Sequence, residues 1–154
     1  MVKEILLGLA VLVLAIQFIR QPKNLGPAPS PFDIQVRHPI TPELRHLLET
    51  ACYDCHSNHT NYPWYAEVQP VGWWLASHIS EGKEHLNFSN FDKLAPKRAA
   101  QKLEQCSDEV TDGGMPITSY KIVHAGARLT DDQRKALANW FDSVRAQIPF
   151  DPAQ

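Results

Sequence analysis

The chain has 154 residues and a formal net charge of -2, which is enough for one small domain with a flanking segment but not for two domains. That near-neutral balance, with no basic run, gives no footing for nucleic acid. Twelve prolines and few β-branched runs argue against a large sheet, and three cysteines are too few for a disulfide framework.

Residues 1–20 form the first unit. Ile5 to Ile19 is almost unbroken apolar sequence, with Gln17 the polar residue inside it. As a helix it reaches about 22 Å, somewhat short of a ~30 Å bilayer core. It reads as an uncleaved transmembrane anchor, with a cleaved signal segment as the alternative. Small residues are badly placed for cleavage: Ala15 precedes Ile16, Gln17, Phe18 and Ile19, while Gly26 and Ala28 are interleaved with prolines. Lys3 is offset by Glu4, and Arg20 and Lys23 lie on the far side, so charge does not set the orientation.

Residues 21–40 carry Pro22, Pro27, Pro29, Pro31 and Pro39. This reads as a stiff, extended linker that holds the following domain off a membrane, with Phe32 and Ile34 able to dock on it. Residues 41–150 are then expected to be a small, all-α domain.

The domain opens at Thr41-Pro42-Glu43, a capping hydroxyl, a proline suited to the first helical position and an acid in the first turn. Leu44, Leu47, Leu48 and Ala51 follow at helical spacing, and the helix runs into Cys52-Tyr53-Asp54-Cys55-His56. This is a CxxCH motif, the attachment sequence for a c-type haem. Two thiols at this spacing add across the two vinyl groups of one haem, and the adjacent histidine then sits under the iron. A zinc half-site needs further ligands, for which Cys106 and scattered histidines are the material. A thiol–disulfide pair calls for a βαβ context that the sequence lacks. Cys106 itself reads as a buried, inert thiol on a helix.

Beyond the motif, Pro63-Trp64-Tyr65 is an aromatic cluster, and Pro70 to Ser80 reads as a helix with Gly82 as its stop. Trp73 and Trp74 on that helix are candidates to wall a haem, since an indole N–H can reach a propionate; ordinary core packing is the competing reading. Asn87-Phe88-Ser89-Asn90-Phe91 is a second aromatic segment. Pro96 to Val110 reads as a helix with Ala99, Leu103, Cys106 and Val110 inward, ended by Gly113-Gly114. Ile117 to His124 is a short helix or turn. The last helix opens at the capping box Thr130-Asp131-Asp132-Gln133, presents Leu137, Trp140, Phe141 and Val144 inward, and stops before Pro149.

His56 supplies one axial iron ligand. Met115 is the first choice for the other, because it lies in a Gly-Gly-Met-Pro turn where glycines permit close approach and proline stiffens the loop. A His/Met pair fills both axial sites and raises the potential, which suits electron transfer. His78 and His124 are the alternatives; His46, His59 and His85 read as solvent-facing.

The run Cys52 to Asn58 with Tyr62-Pro63-Trp64-Tyr65 resembles the haem-binding domain family of bacterial c-type cytochromes. So do His78 with Glu81-Gly82, Asn87-Phe88-Ser89, Met115-Pro116 with Ser119-Tyr120, and His124 with Leu129-Thr130. The resemblance covers about Pro39 to Phe150 and implies one covalent haem c in a helical, often membrane-tethered domain. It also implies redox partner proteins, such as other cytochromes or a di-haem peroxidase. The expected cofactor-binding set is Cys52, Cys55, His56, Trp73, Trp74 and Tyr120, with the haem covalent through Cys52 and Cys55. Thioether attachment follows export, so the body is expected on the periplasmic face of the inner membrane, or free in the periplasm if the first segment is removed. The function expected is one-electron transfer without catalysis; the alternative is a haem peroxidase or a gas or redox sensor with an open sixth iron site.

Overall fold

The structure, a computed structural model, describes residues 1–149; the expected domain end at Phe150 lies outside them. The described residues form an all-helical chain whose one β contact is the isolated bridge between Leu25 and His59. The expected fold class is thus borne out as a small helical domain.

Helix α1 spans Val2–Ile16, starting and ending three residues before the apolar run does. Its residues are exposed along nearly the whole length. With 15 residues it is as long as the apolar run, but among the described residues no helix is long and apolar enough to cross a membrane, so the expected transmembrane helix is not found.

The Pro-rich segment does not stand off as a free tether. Asn24 is bonded five ways into the body, and its backbone carbonyl accepts from Thr60 N (3.0 Å). Its backbone N–H donates to the Tyr62 hydroxyl (2.8 Å), and its amide Nδ2 donates to Ser57 O (3.0 Å) and Thr60 Oγ1 (2.9 Å). Its Oδ1 accepts from Lys83 Nζ (2.6 Å). Further on, Asp33 caps the short helix α2 (Ile34–Arg37) through Gln35 N and also accepts the Tyr53 hydroxyl at 2.6 Å. Ile34 is fully buried in the core, as anticipated, whereas Phe32 stays partly exposed with the Lys93 ammonium over its ring. Five prolines make the segment stiff, and a stiff segment docks at a small entropic cost.

Helix α3 (Pro42–Leu48) begins as expected: Thr41 Oγ1 accepts from Leu44 N and Pro42 occupies the first turn. It widens into a π-type turn over Glu49–Tyr53 before the short helix α4 (Asp54–His56). The π turn is a local under-winding that re-aims side chains, and it falls where Cys52 must face inward. Helix α5 covers Val71–His85, so Gly82 is inside it and not its stop. The reason is contact: a Cβ on Gly82 would lie 2.8 Å from the Cys55 carbonyl oxygen and 3.2 Å from its Cβ. The glycine lets α5 lie against the motif backbone.

Helices α6 (Pro96–Thr111), α7 (Thr118–Val123) and α8 (Asp131–Gln147) complete the domain. The capping box at Thr130 and Gln133 is formed. Gly113, two residues past the end of α6, has a φ of 77°, which is left-handed and suited to glycine, and Met115 N closes the turn on Glu109 O. The most extensive packing is α6 on α8, where Leu103, Val110, Leu137, Phe141 and Val144 are buried. Tyr53, Phe88 and Phe141 stack in nearly parallel planes beneath the motif, and Trp140 Nε1 donates to Pro39 O at 2.8 Å. An aromatic floor of this kind buries a large apolar area and rigidifies what stands on it.

Candidate functional site

A cavity of about 580 Å³ opens between the motif, α5, α6 and the Met115 loop. Its size falls in the range of about 300–1,000 Å³ usual for sites that hold one organic ligand. Cys52, Cys55 and His56 line one side, Met115, Pro116, Ile117 and Tyr120 another, and Phe88 and Phe141 the floor. The chain therefore brings residues some 60 positions apart in sequence onto one cavity.

His56 is oriented by its neighbour. Nδ1 lies 3.0 Å from the Leu86 carbonyl oxygen, which only accepts, so the proton sits on Nδ1 and the lone pair on Nε2. Burial pulls the imidazole below its ordinary value of 6.5, which keeps it neutral. A neutral ring whose far nitrogen is held by a carbonyl is the arrangement of a metal-bound histidine. Burial also pushes the Cys52 thiol up to about 12 and the Cys55 thiol up to about 11, so both are protonated at neutral pH.

The motif is braced from both sides. Tyr120 donates its hydroxyl to Asp54 Oδ2 (2.7 Å), while Asp54 Oδ1 accepts from Asn61 N (3.0 Å). Thr60 Oγ1 donates to Asp54 O (2.6 Å). Downstream, Asn87 Oδ1 accepts from Ser89 N and its Nδ2 donates to Asn58 Oδ1, and Ser89 Oγ accepts from Asn58 N. Asn58, Asn87 and Ser89 thus position the loop that leaves the motif and do not face the cavity.

The rival iron ligands separate clearly. His124 is held at both nitrogens: Nδ1 donates to Tyr120 O (3.1 Å), so Nε2 accepts the Tyr65 hydroxyl (3.2 Å), and its ring stacks on Tyr120 at 3.9 Å. No lone pair is left for a metal, and the residue stands outside the cavity. His78 does line it, with Nδ1 donating to Trp74 O (2.9 Å) and Nε2 free.

Trp73 and Trp74 correct the sequence-based expectation, since neither lines the cavity. Trp73 Nε1 donates to Ile19 O (2.8 Å), so its N–H is spent on the N-terminal segment. Trp74 packs its ring on His78 at 4.2 Å and is 44% exposed. His59 is likewise not solvent-facing, as it is half-buried with Nδ1 3.2 Å from Gly26 O.

Several lining residues were missed: His85 at the rim, Glu81, Lys102, Gln105 and Glu109. Their signal was present as spacing. Lys102, Gln105, Cys106 and Glu109 form one stripe of α6, and His78, Glu81, Gly82 and His85 one stripe of α5. A polar stripe beside an apolar one ordinarily means solvent, so spacing alone does not mark these residues as cavity lining. Cys106 is on a helix with its thiol pushed up by burial, but it lines the cavity. Among the described residues, no three His, Cys, Asp or Glu side chains gather as a metal-ion site, so the zinc half-site has no support.

Fold and cavity together define a small helical domain with a ligand-sized cavity, on which a neutral histidine, a thioether and aromatic side chains meet. The chain belongs to the haem-binding domain family, whose profile matches residues 11–143. It is a haem-binding protein, and the donor set fits the group: a free imidazole Nε2, a methionine sulfur and an aromatic floor on one cavity. No curated protein and no solved structure matches the chain.

Proposed function

We propose that this protein is a one-electron carrier whose haem is of the c type, joined covalently through Cys52 and Cys55. The observation that carries the reading is that both motif thiols, His56 and Met115 line a single cavity. When bound, the haem supplies an iron that cycles between the ferric and ferrous states. The protein's own part is to hold it still and dry. His56 presents Nε2 from a ring locked on Leu86 O, and the Gly113–Pro116 turn presents the Met115 sulfur. Phe88 and Phe141 exclude water, and Lys102 is the lysine suited to a propionate. Were His56 and Met115 both to hold the iron, a substrate would find no open position there, and the protein would pass electrons without catalysis.

Redox proteins such as another cytochrome or a di-haem peroxidase are the proposed partners, and the weak net charge implies weak electrostatic steering. Export precedes thioether formation, so the domain faces the periplasm and the exposed apolar helix α1 holds it at the inner membrane. At about 22 Å this helix is short, and local thinning of the bilayer accommodates it.

His78 favours a second reading. Its free Nε2 on the same cavity makes it a ligand, or a proton donor at an open sixth site, if Met115 stays off the iron. That would give a low-potential carrier, or a peroxidase or gas sensor. The test is the optical spectrum of the full chain matured with the haem c attachment machinery. Residues 24–34 pack into the body, so the full chain is needed. A haem that resists acid–acetone extraction and a weak far-red ferric band of methionine-ligated iron are expected. Extractable haem would overturn the covalent reading, low-spin iron without that band would turn the assignment to His78, and high-spin iron would mean an open site.

A further inference from the structure

Helix α1 does not end in a swivel. Gln17 Nε2 donates to Gln69 O (3.1 Å), and Gln17 Oε1 accepts from Gln69 N (2.9 Å), a two-way bond between the helix end and a residue two positions before α5. Two residues on, Ile19 O accepts the Trp73 indole, and the Arg20 guanidinium bonds the Glu67 backbone carbonyl and carboxylate. Lys23 completes the pair with Glu67. Four successive contacts along seven residues leave the helix little freedom relative to α5.

Large apolar side chains without cover collect at this junction. Phe18 is 87% exposed, Trp64 is 80% exposed, and Ile19, Val68, Val71 and Trp74 are exposed as well. Phe18 and Ile19 follow closely on α1, whose own apolar side chains are exposed. Tryptophan in such a position has an apolar body and a polar N–H, the combination enriched where acyl chains meet headgroups. Arg20 and Lys23, each about half exposed, stand at the same level as cations suited to anionic lipid.

We propose that this collar of Phe18, Trp64, Val68, Val71 and Trp74 seats in the lipid interface when α1 is in the bilayer, so that the domain is held in one orientation and not hung from a tether. The proposal rests on α1 being a membrane anchor. The cavity is then kept close to the membrane surface, because Trp74 touches His78 one turn further along α5, and His78 lines the cavity. A protein partner is the competing occupant. Continuity with α1 favours lipid, since a partner protein would have to cover the collar while α1 enters the bilayer beside it.

The experiment uses full-length holoprotein mixed with phosphatidylethanolamine–phosphatidylglycerol vesicles that carry a diazirine lipid photoactivated near the headgroup. Flotation through a density gradient tests the anchor, and mass-spectrometric mapping of labelled residues tests the collar. The protein is expected to float, with label on residues 2–19 and also on Trp64, Val68 and Val71, several-fold above the solvent-facing side of α6. In Trp64→Ala/Trp74→Ala, label on Val68 and Val71 should fall several-fold while the haem spectrum and flotation stay unchanged. Floating protein with label confined to residues 2–19 would overturn the collar and leave the anchor standing, and would turn attention to a protein partner. Protein that does not float would overturn the anchor and the collar with it.

Discussion

The hydroxyl of Tyr120 donates to Asp54 Oδ2 at 2.7 Å across 66 residues of sequence. One bond therefore ties α7, which follows the Met115 loop, to the centre of the CxxCH motif. It joins the two sides of the cavity, and the same tyrosine backs His124 by stacking. Removing the hydroxyl leaves the ring in place and removes this bond, together with the longer contact of the same hydroxyl to Thr50 O (3.2 Å). Tyr120→Phe is expected to cost about 1 kcal/mol in the chemical unfolding of the holoprotein. It should also weaken the far-red band of the iron–methionine bond as the loop loosens. A loss of stability with that band untouched would assign the bond to folding alone.

Gly82→Ala tests the approach of α5 to the motif. The new Cβ would lie 2.8 Å from the Cys55 carbonyl oxygen, and backbone cannot swing aside as a side-chain tip would. Overpacking of this sort costs about 1–3 kcal/mol. Expression with the attachment machinery should give a several-fold lower yield of haem-loaded protein. Yield and melting temperature equal to wild type would show that the contact relaxes freely.

Met115→Ala is expected to lower the reduction potential and open the iron to carbon monoxide, with binding going from undetectable to one per haem. His78→Ala, on the same cavity, should leave both properties unchanged. If instead His78→Ala opens the iron and Met115→Ala does not, the ligand assignment passes to the histidine.

The haem-free chain should show a stability maximum near neutral pH. Burial depresses His56 from 6.5, so below that pH the unfolded chain takes up a proton that the folded chain refuses, and stability falls with acid. Burial raises Cys52 from 9.0 to about 12, so above pH 9 the unfolded chain gives up protons that the folded chain keeps, and stability falls again. Urea midpoints measured from pH 5 to 10 follow both limbs, and His56→Gln should flatten the acid one. A midpoint that keeps rising through pH 10 would contradict the thiol assignment.

Much of this was legible in the sequence where the determining contacts are local. The Thr41-Pro42 helix start and the Thr130–Gln133 capping box each depend on groups three residues apart. CxxCH carries its chemistry in five consecutive residues, and Met115 was found through the glycines and proline that flank it. The inward faces Ala99, Leu103 and Val110 and Leu137, Phe141 and Val144 followed from helical period alone.

What only the tertiary structure decided depends on partners far apart in the chain. His78 and His124 are alike as sequence, yet Tyr65 OH, 59 residues away, takes the lone pair of His124 and leaves that of His78 free. Trp73 was expected at the haem and instead bonds Ile19, 54 residues earlier. The Pro-rich segment reads as a spacer until Asn24 and Asp33 find Ser57, Lys83 and Tyr53. Gly82 reads as a helix stop until Cys55 is placed beside it. Local propensity is summed over a few residues and survives in any context, whereas a hydrogen-bond partner is chosen by packing, which no short window contains.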